Sequence, residues 1–126
     1  VGQKASEFAQ ELYTKNEYTD YLYFHGFAVE TAEALAEYWH KRIRQEMIIH
    51  EADGKLVKEL FRQKYQGSRY SFGYPACPEL KDQEIVFDLL DARSEGLTLT
   101  EEYQIVPEQS TSAIIVHHPK AKYFSV

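Results

Sequence analysis

At Gly96 the sequence changes its period. Before that point apolar residues recur every three or four positions, the spacing of helices buried along one face; beyond it they alternate with polar ones, the spacing of strands. A chain that spends its helices before its strands has no βαβ rhythm. The expected class is α+β, N-terminal helices followed by antiparallel strands.

The helical part divides at its breakers. Ala5, Phe8, Ala9, Leu12 and Tyr13 predict a short amphipathic helix, and the stretch from Asn16 to Asp20 reads as a break. Tyr18, Tyr21, Leu22 and His25 predict a second short helical turn before Gly26. A long helix over 29–49 follows, its stripe made of Ala28, Ala32, Leu35, Trp39, Ile43 and Met47, with Glu37 set to pair with Lys41. Asp53-Gly54 separates it from a helix over 55–66 in which Leu56, Val57, Leu60, Phe61 and Tyr65 share a face. Ser68 to Pro78 has no period and reads as an ordered loop. Pro78 suits the start of a last helix that buries Ile85, Val86, Leu89 and Leu90.

In the strand part, Leu97, Leu99, Tyr103 and Ile105 alternate with Thr98, Thr100, Glu102 and Gln104, which predicts one strand with Glu101 out of step. The run from Ser112 to His117 suits a strand buried on both faces, and Pro119-Lys120 turns it into a hairpin with a final strand over 122–126. That strand reaches Val126 still extended and apolar, and the chain opens on Val1 rather than Met. Three strands are few for this much helix. The expectation is that residues 1–126 form a single domain or part of one, a fragment of a larger mixed helix-and-sheet domain.

Charge and cysteine content narrow the function classes. A net charge of −6 and a pI near 5.3 give no broad attraction to phosphate backbones or anionic lipid, so neither nucleic acid nor membrane is expected as a partner. The one cysteine, Cys77, cannot close an internal disulfide, and no apolar run has the length of a membrane span or signal peptide. A soluble protein of the cytoplasm is expected.

The run from Tyr65 to Pro78 is the densest feature, combining Arg69, two glycines, two prolines and several aromatics. Arg69 offers paired planar donors for a carboxylate, Gly73 allows close backbone approach, and aromatics pack on rings. Two readings stand at this point, a ligand-binding loop and a rigid connection with a surface arginine. Elsewhere no nucleophile is paired with a base, and Cys77 before Pro78 reads as a packing or capping residue. His117 and His118, adjacent in sequence, point to opposite faces of a strand and read as turn residues rather than metal ligands.

Arg69-Tyr70-Ser71-Phe72-Gly73-Tyr74 followed by Pro75-Ala76-Cys77-Pro78 resembles the RxxxGYPACP signature of the activation domain of cobalamin-dependent methionine synthase. The run from Ala32 to His40 is similar to that family's long helix, Leu97 to Glu101 to the strand after its signature helix, and His118 to Phe124 to its closing hairpin. The resemblance implies an S-adenosylmethionine-binding module that positions this methyl donor for reductive methylation of cob(II)alamin. It also implies that cobalamin is bound by another domain, that zinc belongs only to the full-length enzyme, and that flavodoxin or a flavoprotein reductase supplies the electron. By the same resemblance the ligand would meet Glu33, Arg69, Gly73, Tyr74, Pro75, Ala76, Tyr123 and Phe124, with no catalytic residue in this chain. Phe124 departs from the family's more usual second tyrosine and loses a hydroxyl, and Gln63 stands where the family can carry another acid, so one negative charge fewer is expected. The residues themselves leave a rival open: Glu33 as a solvated helix carboxylate, Tyr123 and Phe124 as cross-strand packing, and the 10 tyrosines as the contact groups of a non-catalytic protein-interaction module that keeps the fold.

Overall fold

Two antiparallel helices open the computed structural model, which describes residues 1–122. Helix α1 (Gln3–Thr14) buries Ala9 and Leu12 and sets Phe8 edge-on against Phe24, ring centroids 4.8 Å apart. Asn16 then adopts the left-handed conformation (φ 59), letting the Glu17 amide return to the Leu12 carbonyl at 3.0 Å. That closes the helix in the manner usually given to glycine. Helix α2 (Tyr18–Glu46) runs 29 residues without interruption. The short turn and the long helix expected from the sequence are thus one element. Gly26 does not break it, because a single glycine costs only about 1 kcal/mol and the apolar rows on either side of it are in phase.

The buried face of α2 differs from the predicted stripe. Ala28, Ala32, His40 and Arg44 are its buried residues, and with the half-buried Ala36 they form one row at four-residue spacing. Leu35, Trp39 and Met47 lie exposed instead. Two residues past the end of the helix stands Ile48, whose φ of 58 places a β-branched, 78% exposed side chain in the left-handed region. Nothing buried holds that side chain, so Ile48→Gly is expected to raise unfolding stability by about 1 kcal/mol. A denaturant midpoint that stays or falls would contradict this.

Helix α3 (Val57–Phe61) is less than half the predicted length. Leu56, Val57 and Phe61 are exposed, so no apolar face rewards its extension, and Gln63 (φ 52) turns the chain into an extended run. Ser68–Ser71, expected as loop, is strand β1. Its partner is β4 (Ala113–Val116), antiparallel, with Arg69 opposite Ile115 and Ser71 opposite Ala113. Gly67 leads into this ribbon with φ 94, and a Cβ there would meet the Val116 carbonyl oxygen at 2.7 Å. β4 is half-exposed on alternate residues rather than buried on both faces, since a two-stranded ribbon has one covered side. The turn expected at Pro119-Lys120 is present, the Ala121 amide reaching the His118 carbonyl. The strand that should follow lies outside the described residues.

Between these strands the chain makes a 3-10 turn (Leu80–Asp82), helix α4 (Gln83–Leu89) and a second 3-10 turn (Ala92–Glu95). Pro78 precedes α4 rather than opening it. Gln83 and Phe87 are its buried residues; of the predicted core stripe Val86 is half-buried, while Ile85, Leu89 and Leu90 are 69–80% exposed. Gln83 sets the rotation: its amide donates to the Tyr103 carbonyl and accepts from the Ser112 hydroxyl, both at 2.7 Å. The alternating run after Gly96 is a hairpin, not one strand. β2 (Thr98–Leu99) pairs antiparallel with β3 (Ile105–Val106) across a turn at Thr100 to Tyr103, where the Thr100 hydroxyl accepts from the Glu102 and Gln104 amides. The class is α+β, as expected.

Candidate functional site

The pleat of the β1–β4 ribbon sorts the signature residues by face. Arg69 and Ser71 project with Ala113 and Ile115 to one side, where α2 passes; Tyr70 projects with Ile114 and Val116 to the other. The first side forms a groove of about 380 Å³ walled by Glu33, Trp39 and His40 of α2, by Arg69 and Ser71 of β1, and by the loop 109–112. Glu33 also lines an adjoining hollow of about 310 Å³ with Tyr74, Phe72 and the same loop. Pro75 and Ala76 line a third depression with Tyr70 and Cys77, on the opposite face of the ribbon. The structure therefore brings Glu33 and Arg69 to one groove, places Tyr74 next to it, and keeps the side chains of Pro75 and Ala76 apart from it. Tyr123 and Phe124 lie outside the described residues.

Gly73 holds the signature turn. It has φ 84, and its amide donates to the Cys77 carbonyl while the Cys77 amide donates to Tyr74, each at 2.8 Å. A Cβ would come within 3.1 Å of a Leu80 methyl. Glycine is thus required here mainly by conformation, since the crowding atom ends a flexible side chain.

Behind the groove stands a charged cluster that sequence reasoning missed. Arg44, 1% exposed, donates from Nε and Nη2 to both carboxylate oxygens of Asp53 at 2.9–3.1 Å, and its guanidinium lies 3.8 Å from the centre of the Tyr65 ring. Glu37, expected to pair with Lys41, turns inward instead. Its Oε2 accepts from Arg69 Nη1 at 2.7 Å and from the Tyr65 hydroxyl at 3.1 Å. Arg44 Nη2 stands 3.7 Å from Glu37 Oε1, close enough for attraction but not for a hydrogen bond. Arg69 Nη1 also meets Nδ1 of His40 at 3.1 Å. Arginine has no acceptor, so Nδ1 must accept and the proton of the neutral ring sits on Nε2. The signal for the cluster was the four-residue row of α2, which continues through His40 and Arg44 into positions that only paired polar residues can fill.

Burial pushes the His40 pKa down to about 4, helped by Arg44 and then Arg69, with Asp53 opposing. Burial, then the Glu37 carboxylate, raises the Tyr65 hydroxyl to about 12, so it remains a donor. For His40 the consequence is a pH-dependent stability. The unfolded chain binds the proton near pH 6.5 and the folded chain only near 4. Between those values the unfolded state holds more protons. Stability complete above pH 6.5 therefore drains away on acidification, at up to about 1.4 kcal/mol per pH unit. His40→Gln, which keeps an acceptor for Arg69, should remove this component between pH 6.5 and 4; an unchanged slope would contradict it.

Among the described residues no group of histidine, cysteine and acidic side chains is placed to hold a metal ion, and no helix is long and apolar enough to cross a membrane. What the groove offers is a planar cation from β1 and a carboxylate from α2 in one lining, together with serine and threonine hydroxyls. That set suits a ligand carrying both charges.

The family model for the activation domain of vitamin B12 dependent methionine synthase matches residues 1–126. The methionine synthases of Mycobacterium tuberculosis and Mycobacterium leprae are each 46% identical over 132 residues, all of this chain but 11% of theirs. A crystal structure of the MetH reactivation domain bound to AdoHcy superposes with a TM-score of 0.88 at 32% identity, covering 98% of this chain and 39% of that one. The chain thus spans a minor part of the length of the relatives it matches. The resemblance carried by the signature run and its flanking elements holds from end to end.

Proposed function

Since this chain belongs to the activation-domain family of vitamin B12-dependent methionine synthase, we propose that it binds S-adenosylmethionine in the groove between α2 and the β1–β4 ribbon and positions it for methyl transfer. One observation supports this above the others: Arg69 of the signature and Glu33 of the long helix, far apart in sequence, wall the same groove. The guanidinium suits the ligand carboxylate, and the Glu33 carboxylate suits the ammonium or sulfonium. Tyr74 lines the adjoining hollow, Gly73 sets the turn that carries it, and Pro75 and Ala76 act through the backbone of that turn. Tyr123 and Phe124 complete the proposed set. The structural relative supports the ligand class, because it holds AdoHcy.

No acid, base or nucleophile is required of this chain. The sulfonium already makes the methyl group electrophilic, so the contribution is orientation and exclusion of other poses. Cobalamin, carried by another domain of a longer methionine synthase, would supply the nucleophile. Flavodoxin or a flavoprotein reductase would supply the electron, zinc would belong to another module, and the setting would be the cytoplasm. The test is isothermal titration of the complete polypeptide with S-adenosylmethionine, followed by its reductive reactivation. Saturable binding at one site and recovery of turnover are expected. Absence of binding would leave the protein-interaction module as the reading.

A further inference from the structure

We infer that Glu37 is the positioning residue for Arg69, holding its guanidinium so that the Nε–Nη2 edge faces the carboxylate of S-adenosylmethionine; this rests on the proposed ligand. Arg69 sits on a two-stranded ribbon with its side chain 21% exposed, a setting in which a long cation has many rotamers to lose on binding. Its geometry is nevertheless fixed in advance. Nη1 carries two hydrogens, and both are engaged: one with Glu37 Oε2 at 2.7 Å, the other with His40 Nδ1 at 3.1 Å. Among the described residues, the hydrogen bonds of the Arg69 side chain all run through Nη1. Two bonds from one nitrogen set the plane of the whole group. What remains is the Nε–Nη2 edge, whose parallel hydrogens match the two oxygens of a carboxylate.

Glu37 is itself braced. The Tyr65 hydroxyl donates to the same Oε2, and Arg44, locked by Asp53, lies beside Oε1. Helix α2 thereby serves the groove twice, with Glu33 on its wall and Glu37 one turn further on behind Arg69. Because Glu37 engages only Nη1, it orders the arginine without occupying the edge a ligand would use.

The complete polypeptide is titrated with S-adenosylmethionine and with its decarboxylated analogue, as wild type, Glu37→Ala, Glu37→Gln and Tyr65→Phe. The wild type should prefer the ligand that carries the carboxylate; binding of neither ligand, or no preference, would overturn the ligand reading rather than the role of Glu37. Glu37→Ala should weaken S-adenosylmethionine about 10-fold and the analogue less than about 2-fold. Glu37→Gln keeps an acceptor for Nη1 and should recover most of that loss. Tyr65→Phe, which loosens Glu37 without altering a charge, should show a smaller loss confined to S-adenosylmethionine, and it carries the test if Glu37→Ala does not fold. Equal losses for both ligands would reduce Glu37 to a structural residue, and native affinity for S-adenosylmethionine in both Glu37→Ala and Tyr65→Phe would overturn the inference.

Discussion

Asp53→Ala is expected to cost about 3–5 kcal/mol of unfolding free energy. Arg44 is 1% exposed and Asp53 is its close partner, through two guanidinium nitrogens. Removing the carboxylate leaves a buried cation with, among the described residues, Glu37 and the Tyr65 ring to compensate. Bringing the pair together from water already costs desolvation, so the pair itself adds little net stability; the loss comes from orphaning one member. Two controls separate these effects. Asp53→Asn keeps the shape and one acceptor and should lose about half as much. Arg44→Met with Asp53→Ala removes both charges and should cost clearly less than the sum of the single changes. Denaturant unfolding with unchanged slope measures all of them, and a loss below about 1 kcal/mol for Asp53→Ala would show that water or another group already satisfies Arg44.

Arg69→Ala is expected to weaken S-adenosylmethionine binding roughly 10-fold to 150-fold, the range that follows from losing a hydrogen-bonded charge contact of about 1.5–3 kcal/mol. Arg69→Lys keeps the charge but not the fork and should fall between. Lysine also cannot bond Glu37 and His40 as Nη1 does while still presenting a planar edge, so the substitution loses the preset orientation as well. On the proposed function the groove serves only the methyl donor of reactivation, so methionine synthesis by the full-length protein should persist in both variants. Only recovery of the oxidised cofactor should fail. Native affinity in Arg69→Ala would leave this residue as the partner of Glu37 and nothing more.

Where the sequence was legible, period and punctuation agreed with burial. The α1 stripe through Ala9 and Leu12, the turn at Pro119-Lys120 and the change of period at Gly96 all appear in the fold. Where it was not, a polar residue had taken the place of an apolar one. His40 and Arg44 occupy the core row of α2, and Gln83 occupies that of α4, so counting apolar residues rotated both helices away from their true faces. Glu101, the one residue out of step after Gly96, was the mark of a turn: Thr100 folds the chain back there. β1 was hidden because its pairing partner lies more than forty residues on, and a four-residue strand holding Ser, Arg and Tyr has no period to read. Of the site, Arg69 and Glu33 were legible by resemblance, while the Glu37–His40–Tyr65 support emerges only from three-dimensional pairing. The loop 109–112, which lines both the groove and the hollow, carried no signal beyond its hydroxyls.

A crystal structure of the complete polypeptide with S-adenosylmethionine bound would decide whether the groove is the ligand site. The ligand is expected in the groove between α2 and the β1–β4 ribbon, its carboxylate on the Nε–Nη2 edge of Arg69 and Glu33 within reach of its positive charge, with the Glu37 to Arg69 contact intact. A ligand seated on the opposite face of the ribbon, against Tyr70 and Ile114, or a carboxylate that displaces Glu37 from Nη1, would contradict it.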